Sequence, residues 1–125
     1  MKKFLIPALC LFFLCGCATT QVSENIPENN PENVAGVIFA ENYGYYLFGF
    51  LPICSGNPDC PNDVSMSFFK DKVTIENNAQ MIKKEADKLG AKSIKDVRHH
   101  TMWTGSFSLW IVWRQVLKSN ATALK

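Results

Sequence analysis

The rhythm of hydrophobic and polar positions changes several times along the chain, and each change predicts an element. An apolar run from Phe4 to Leu14, interrupted by Pro7, comes after Lys2 and Lys3. At about 10–13 residues it is shorter than the roughly 20 that a membrane-spanning helix requires. From Ala18 to Asn33 large apolar residues nearly vanish, and Asn, Glu and Pro dominate. Such a segment buries too little surface to offset the entropy of ordering and reads as a flexible tether. As a coil of about 16 residues it would hold the domain beyond it roughly 20–25 Å from its starting point.

Val34 to Ile53 is different. Val37, Ile38 and Phe39 form a short apolar patch, and Tyr43 to Ile53 is a run of aromatic and large aliphatic residues. Their types favour strand, and Pro52 rules out a simple helix. Gly44 and Gly49 mark a bulge or a close backbone approach. Because hydrophobicity does not alternate, the run is predicted to be buried on both faces. An exposed aromatic platform is disfavoured as an aggregation hazard. Asp59 to Asp63 reads as loop. Val64 to Phe69 reads as a short strand or an extended lead-in, with Met66 and Phe68 on one side and Phe69 on the other.

Val73 to Leu89 carries the clearest helical period. Ile75, Ala79, Ile82, Ala86 and Leu89 recur at helical steps and predict one buried stripe. Thr74 is the predicted N-cap, Glu76 suits the first turn, and Lys88 with Gly90 marks the end. Ser93 to Met102 reads as strand, and Thr104-Gly105-Ser106 as a hairpin turn. Phe107 to Leu117 reads as a long strand, with Phe107, Leu109, Ile111 and Trp113 on one face and Trp110, Val112 and Val116 on the other. Ala121 to Leu124 continues it or closes the sheet edge. The expected fold is α+β: one amphipathic helix packed on a three- to four-stranded, mainly antiparallel sheet in two layers. It occupies a single domain over residues 34–125.

The first apolar run ends in Leu14-Cys15-Gly16-Cys17. A positive start, a short apolar core and a small-residue exit are the parts of a secretory signal. With the cysteine, the segment resembles the lipobox of bacterial lipoprotein signal peptides. The resemblance implies residues 1–16 as a leader, cleavage before Cys17, and a diacylglyceryl group on its thiol. Residues 17–33 are then the lipidated cysteine and its tether, and the membrane is a partner through Cys17. In enterobacterial lipoproteins an Asp after the lipidated cysteine retains the protein in the inner membrane. Ala18 stands there instead, which implies the outer membrane, facing the periplasm.

Leader removal changes the cysteine and charge counts. Cys10 and Cys15 leave with the leader, and Cys17 takes the lipid. Cys54 and Cys60 remain, in a compartment where disulfides persist. An even remainder separated by the turn-rich Ser55-Gly56-Asn57-Pro58-Asp59 predicts a Cys54–Cys60 bridge, contributing roughly 2–2.5 kcal/mol by loop closure. A redox pair lacks the Cys-x-x-Cys spacing, and a zinc site lacks a second pair of ligands. Without Lys2 and Lys3, the thirteen Lys and Arg fall to eleven, equal to the eleven Asp and Glu. No basic cluster points to nucleic acid.

Residues that could carry chemistry are few. His99 and His100 are adjacent, so on a strand they point to opposite faces and do not chelate one ion. No Gly-x-Ser-x-Gly elbow or phosphate loop is present. Arg114, inside the last apolar strand, is expected to stack on Trp110 or Trp113 or to pair with an acid across the sheet. No catalytic residue, metal ligand or cofactor is assigned.

The order Gly44-Tyr45-Tyr46-Leu47-Phe48-Gly49-Phe50-Leu51-Pro52, Ser55-Gly56-Asn57, a helix ending Leu89-Gly90-Ala91 and a last strand closing on Ala121 and Ala123 resembles the TRL-like envelope lipoproteins. That group supplies no catalytic residues to carry over. The expected function is a lipid-anchored, non-catalytic envelope module that interacts with an envelope protein. The alternative is a periplasmic sensor of a small ligand or metal, using the aromatic strand or His99 and His100.

Overall fold

The computed structural model describes residues 16–23, 33–105 and 111–125. Within them the chain runs β1 (Cys17–Ser23), β2 (Val34–Leu47), β3 (Leu51–Gly56), β4 (Met66–Phe68), α1 (Ile75–Lys88), β5 (Ser93–Gly105) and β6 (Val112–Leu124). All strand pairs are antiparallel, in the order β4-β3-β2-β6-β5, with β1 also on β2. The α+β class and the two layers hold. The sheet is six-stranded rather than three- or four-stranded.

The extra strands are β1 and β3, the second split from a run expected to form one strand with β2. Cys17 to Ser23, expected as coil, pairs with β2 from Tyr43 to Val37. Low hydrophobicity did not prevent this, because the segment supplies alternation and backbone rather than bulk. Ala18 and Thr20 point inward and are buried, and every second residue faces out. The rest of the expected tether, residues 24–32, lies outside the described residues.

β2 is long enough to carry two strands on one edge. β1 covers Val37 to Tyr43 and β3 covers Gly44 to Leu47, while β6 pairs along the whole of the other edge. The aromatic run is therefore not one buried strand. It ends β2, turns through Phe48-Gly49-Phe50 and starts β3, and Phe48, Phe50 and Leu51 are exposed.

The helix begins one residue after Thr74, whose Oγ1 accepts the backbone N–H of Asn77 at 3.3 Å, a cap that contributes about 1 kcal/mol. At its end Gly90 holds φ +67, which a side-chain-bearing residue adopts only at a cost. The buried positions are Asn78, Met81, Ile82 and Ala86. Ile75 and Ala79, expected on the stripe, are exposed. The stripe is rotated because the sheet below presents alanines and polar groups, against which Met81 and Asn78 fit. The core under α1 joins Ile38, Ala40, Met81, Ile82, Ala121 and Ala123. Small residues on the sheet let the helix sit close to it.

A polar seam runs through this layer. Asn78, 0% exposed, donates through Nδ2 to the carbonyls of Ala40 (3.4 Å) and Leu117 (3.0 Å) and to Ser119 Oγ (3.0 Å). Asn42 Nδ2 donates to the Lys72 carbonyl at 2.7 Å, and Ser55 Oγ to that of Lys70 at 2.9 Å. The Tyr46 hydroxyl donates to Asp71 Oδ1 at 2.7 Å, and burial, helped by that carboxylate, pushes the phenol's pKa well above its ordinary range. These bonds clamp the β4–α1 connection onto the sheet.

Candidate functional site

Two places warrant a functional reading, and the first is the start of β1. Cys17 opposes Tyr43, with its thiol half-buried and 3.9 Å from the Ala18 carbonyl. It borders a cavity of about 370 Å³ shared with Tyr43, Asn62, Asp63, Val64 and Met66. Two glycines make the place possible. A Cβ on Gly56 would lie 2.2 Å from the Cys17 carbonyl carbon, and one on Gly16 would lie 2.4 Å from that of Ser55. The start of β1 and the end of β3 thus meet backbone to backbone.

The outer side of β1 is fixed by Asn62. Its backbone N–H donates to the Ala18 carbonyl (2.9 Å), its Oδ1 accepts from Thr20 N (2.9 Å), and its Nδ2 donates to Thr20 Oγ1 (3.0 Å). Thr20 Oγ1 in turn donates to Glu85 Oε1 at 2.8 Å. Lys88 Nζ donates to the same oxygen at 2.9 Å. The Lys88 contact holds the Glu85 carboxyl below its ordinary pKa, with help from Thr20 and against the opposing effect of burial.

The expected Cys54–Cys60 disulfide is not formed. Cys54 is buried in β3 and Cys60 is an exposed thiol. Between them the loop closes on itself: Cys60 N donates to the Asn57 carbonyl and Asp63 N to the Cys60 carbonyl, each at 3.3 Å. Asn62 then ties this loop to β1, so backbone bonds do the work expected of the bridge, and Cys60 is left facing solvent.

The second place is the sheet face opposite α1. Register and strand alternation put Thr19, Gln21, Phe39, Glu41, His100 and Lys118 on it. They line a groove of about 490 Å³. Glu41 and Lys118 pair across it at 3.2 Å. Beside the groove Arg114 lies over the Tyr43 ring, 4.4 Å from its centroid, and Tyr43 meets Tyr45 edge to face at 6.3 Å. Arg114 therefore stacks on a tyrosine, Tyr43; Trp110, one of the partners expected for it, lies outside the described residues.

His99 and His100 point to opposite faces. His99 Nδ1 is 2.7 Å from Ser119 Oγ on the helix side, and His100 lines the groove. Ser119 is buried near α1, and its oxygen also accepts from Asn78 Nδ2. Among the described residues no three His, Cys, Asp or Glu side chains gather to hold a metal ion, and no helix is long and apolar enough to cross a membrane.

Sequence reasoning found Cys17, His99, His100 and Arg114. It missed Asn62, Glu41 and Lys118. Asn62 holds φ +67, a conformation asparagine tolerates. An Asn in an Asp/Asn-rich loop carried that signal without showing where it lands. Glu41 and Lys118 meet only through the β2–β6 register. The chain matches no family model, no curated protein and no solved structure.

Proposed function

We propose that this is a lipid-anchored protein of the bacterial envelope that acts as a non-catalytic interaction or structural module. The observation that carries the proposal is the placement of Cys17. The residue that the lipobox pattern marks for acylation is the first residue of the sheet. Its thiol borders a cavity at the molecule's edge, and the chain preceding it is apolar. A thioether-linked glycerol has room there. Under this reading Gly16, packed against Ser55, leaves with the leader. With no spacer between Cys17 and the sheet, the anchor holds the domain against the bilayer. Burial of each acyl methylene contributes about 0.8 kcal/mol, so several chains make attachment effectively permanent. The outer membrane, facing the periplasm, is the proposed location.

Mass analysis of the N-terminal peptide from the natural source tests this. A diacylglyceryl-modified Cys17 is the expected product; an unmodified thiol or an intact leader would remove the anchor.

A second reading is favoured by the groove, whose facing Glu41, Lys118 and His100 suit a small ligand bearing both charges. The opposed histidines do not favour a metal. Native mass spectrometry would detect a co-purified small molecule, lost in Lys118→Ala.

A further inference from the structure

The sheet ends on one side in β4, three residues long, and on the other in β5, thirteen residues long. β1 has an outer edge too, but Asn62 occupies it through the Ala18 carbonyl and Thr20 N. Among the described residues β5 pairs only with β6, and every residue along it except Ile94 is exposed. The core under α1 draws on β1, β2 and β6 and reaches β5 only at Ile94, so the helix does not cover this edge. A long strand edge presents a row of unpaired N–H and C=O groups, which proteins ordinarily blunt with a bulge, a charge or shortness.

β5 is blunted at one end only. Its register with β6 shifts between Lys95 and Arg98, and Asp96 there holds φ +54, as in a bulge. From Arg98 to Gly105 the register runs unbroken opposite Asn120 to Trp113. This regular stretch has two unlike halves. Arg98, His99 and His100 are basic, whereas Met102, Trp103 and Thr104 carry no charge. Met102 and Trp103 are 41% and 47% exposed. Trp103 packs on Tyr46, with ring centroids 5.4 Å apart, yet stays half exposed.

We propose that this edge pairs with the same edge of a second copy, β5 antiparallel to β5, about a two-fold axis at Thr101 normal to the sheet. The sheet then continues across both copies. Reversal makes the strand complementary to itself. Around Thr101 it sets Arg98 opposite Thr104, His99 opposite Trp103 and His100 opposite Met102. No two basic residues face each other, and paired side chains share a face of the sheet. Centring on His100 would set that imidazole against its own copy, and centring on Met102 would carry Arg98 past Gly105, where β5 ends. At the far side of each copy β4 is too short to template another strand, so the assembly closes at two. Nothing in this pairing involves Cys17, so it stands or falls apart from the lipid anchor.

The test uses the full chain, extracted in detergent from the expressing cell, with Cys60→Ser to remove the exposed thiol. In that background Thr101→Cys places a thiol at the two-fold axis. Ala79→Cys, on the exposed side of α1, is the reference. After mild oxidation the expected result is a disulfide-linked dimer at position 101 far in excess of that at 79. In sedimentation velocity the Cys60→Ser chain should run as a dimer. Thr101→Lys sets two ammonium groups against each other at the axis and should lose that dimer, with the fold retained by circular dichroism. No excess of dimer at 101 over 79 overturns the proposal, as does a disulfide from position 101 to a different protein. A dimer that survives Thr101→Lys in a folded chain overturns it as well. Should Thr101→Lys fail to fold, the disulfide at position 101 decides alone.

Discussion

Apolar side chains gather in two regions of this molecule, and the two are built oppositely. Around α1 the layer uses small residues (Ala18, Ala40, Ala86, Ala121, Ala123) with Ile38, Met81 and Ile82, and it admits Asn78 and Ser119, whose Nδ2 and Oγ are paired while Asn78 Oδ1 is buried without a partner. In the β2–β3 turn and around β4 the residues are large, mostly aromatic and exposed, and Phe48 and Phe69 are held at positive φ. A helix can approach a sheet closely only over small side chains, and buried amides are tolerated there because each finds a carbonyl or hydroxyl. Phe48, Phe50, Phe68 and Phe69 do not serve the core.

The strongest way to break the comparison is to attack the polar seam of the covered layer. Asn78→Ala removes a donor shared by Ala40, Leu117 and Ser119. It should cost about 3 kcal/mol of stability, since buried acceptors lose their partner; urea unfolding measures it. A loss under about 0.5 kcal/mol would mean the seam is incidental.

Gly56→Ala tests the junction between the two regions. The added methyl would meet the Cys17 backbone at 2.2 Å. The expected loss is about 2 kcal/mol, typical of overpacking. Amide exchange should accelerate in Ala18 to Ser23 while Met81 and Ile82 remain protected.

Titration probes the covered layer by pH. Tyr46 stays neutral in the fold because burial and Asp71 raise its pKa. Its contribution is full below pH 10, the ordinary tyrosine value, and is lost as pH rises further, because the unfolded chain releases the proton first. Glu85 has the opposite sign. Its lowered pKa adds stability above the ordinary value of 4.5, lost as pH falls through the folded-state value. Tyr46→Phe should flatten the alkaline limb of a stability–pH curve and Glu85→Gln the acid limb.

The smallest effect belongs to the exposed phenylalanines. Phe50→Ser and Phe69→Ser should change stability by no more than about 0.5 kcal/mol, as surface substitutions do. A larger loss in thermal unfolding would show that these side chains pack after all, and the contrast between the regions would collapse.

Periodicity and punctuation made the helix legible, from Thr74 to Gly90, because capping and a 3.6-residue repeat are local properties. Strands at β5 and β6 followed from β-branched and aromatic runs, but the turn expected at Thr104-Gly105-Ser106 did not, since Thr104 and Gly105 end β5 opposite Arg114 and Trp113. Local reading failed where a residue's environment is supplied from far along the chain. Ile75 and Asn78 lie on neighbouring faces of one helix, and only the alanine-lined sheet decides which of them turns inward. Cys17 to Ser23 looked like spacer because strand formation there depends on Asn62, Gly56 and the unused half of the β2 edge. The Glu41–Lys118 groove was invisible for the same reason.

From the sequence alone came the capped helix, the α+β class and the opposed directions of His99 and His100. These rest on interactions within a few residues, or on strand alternation. Tertiary structure decided that β1 joins the sheet, that Cys54 is buried while Cys60 is exposed, that α1 buries an asparagine, and that the aromatic run divides between strand and exposed turn. Those outcomes depend on register and on the space left by distant backbone.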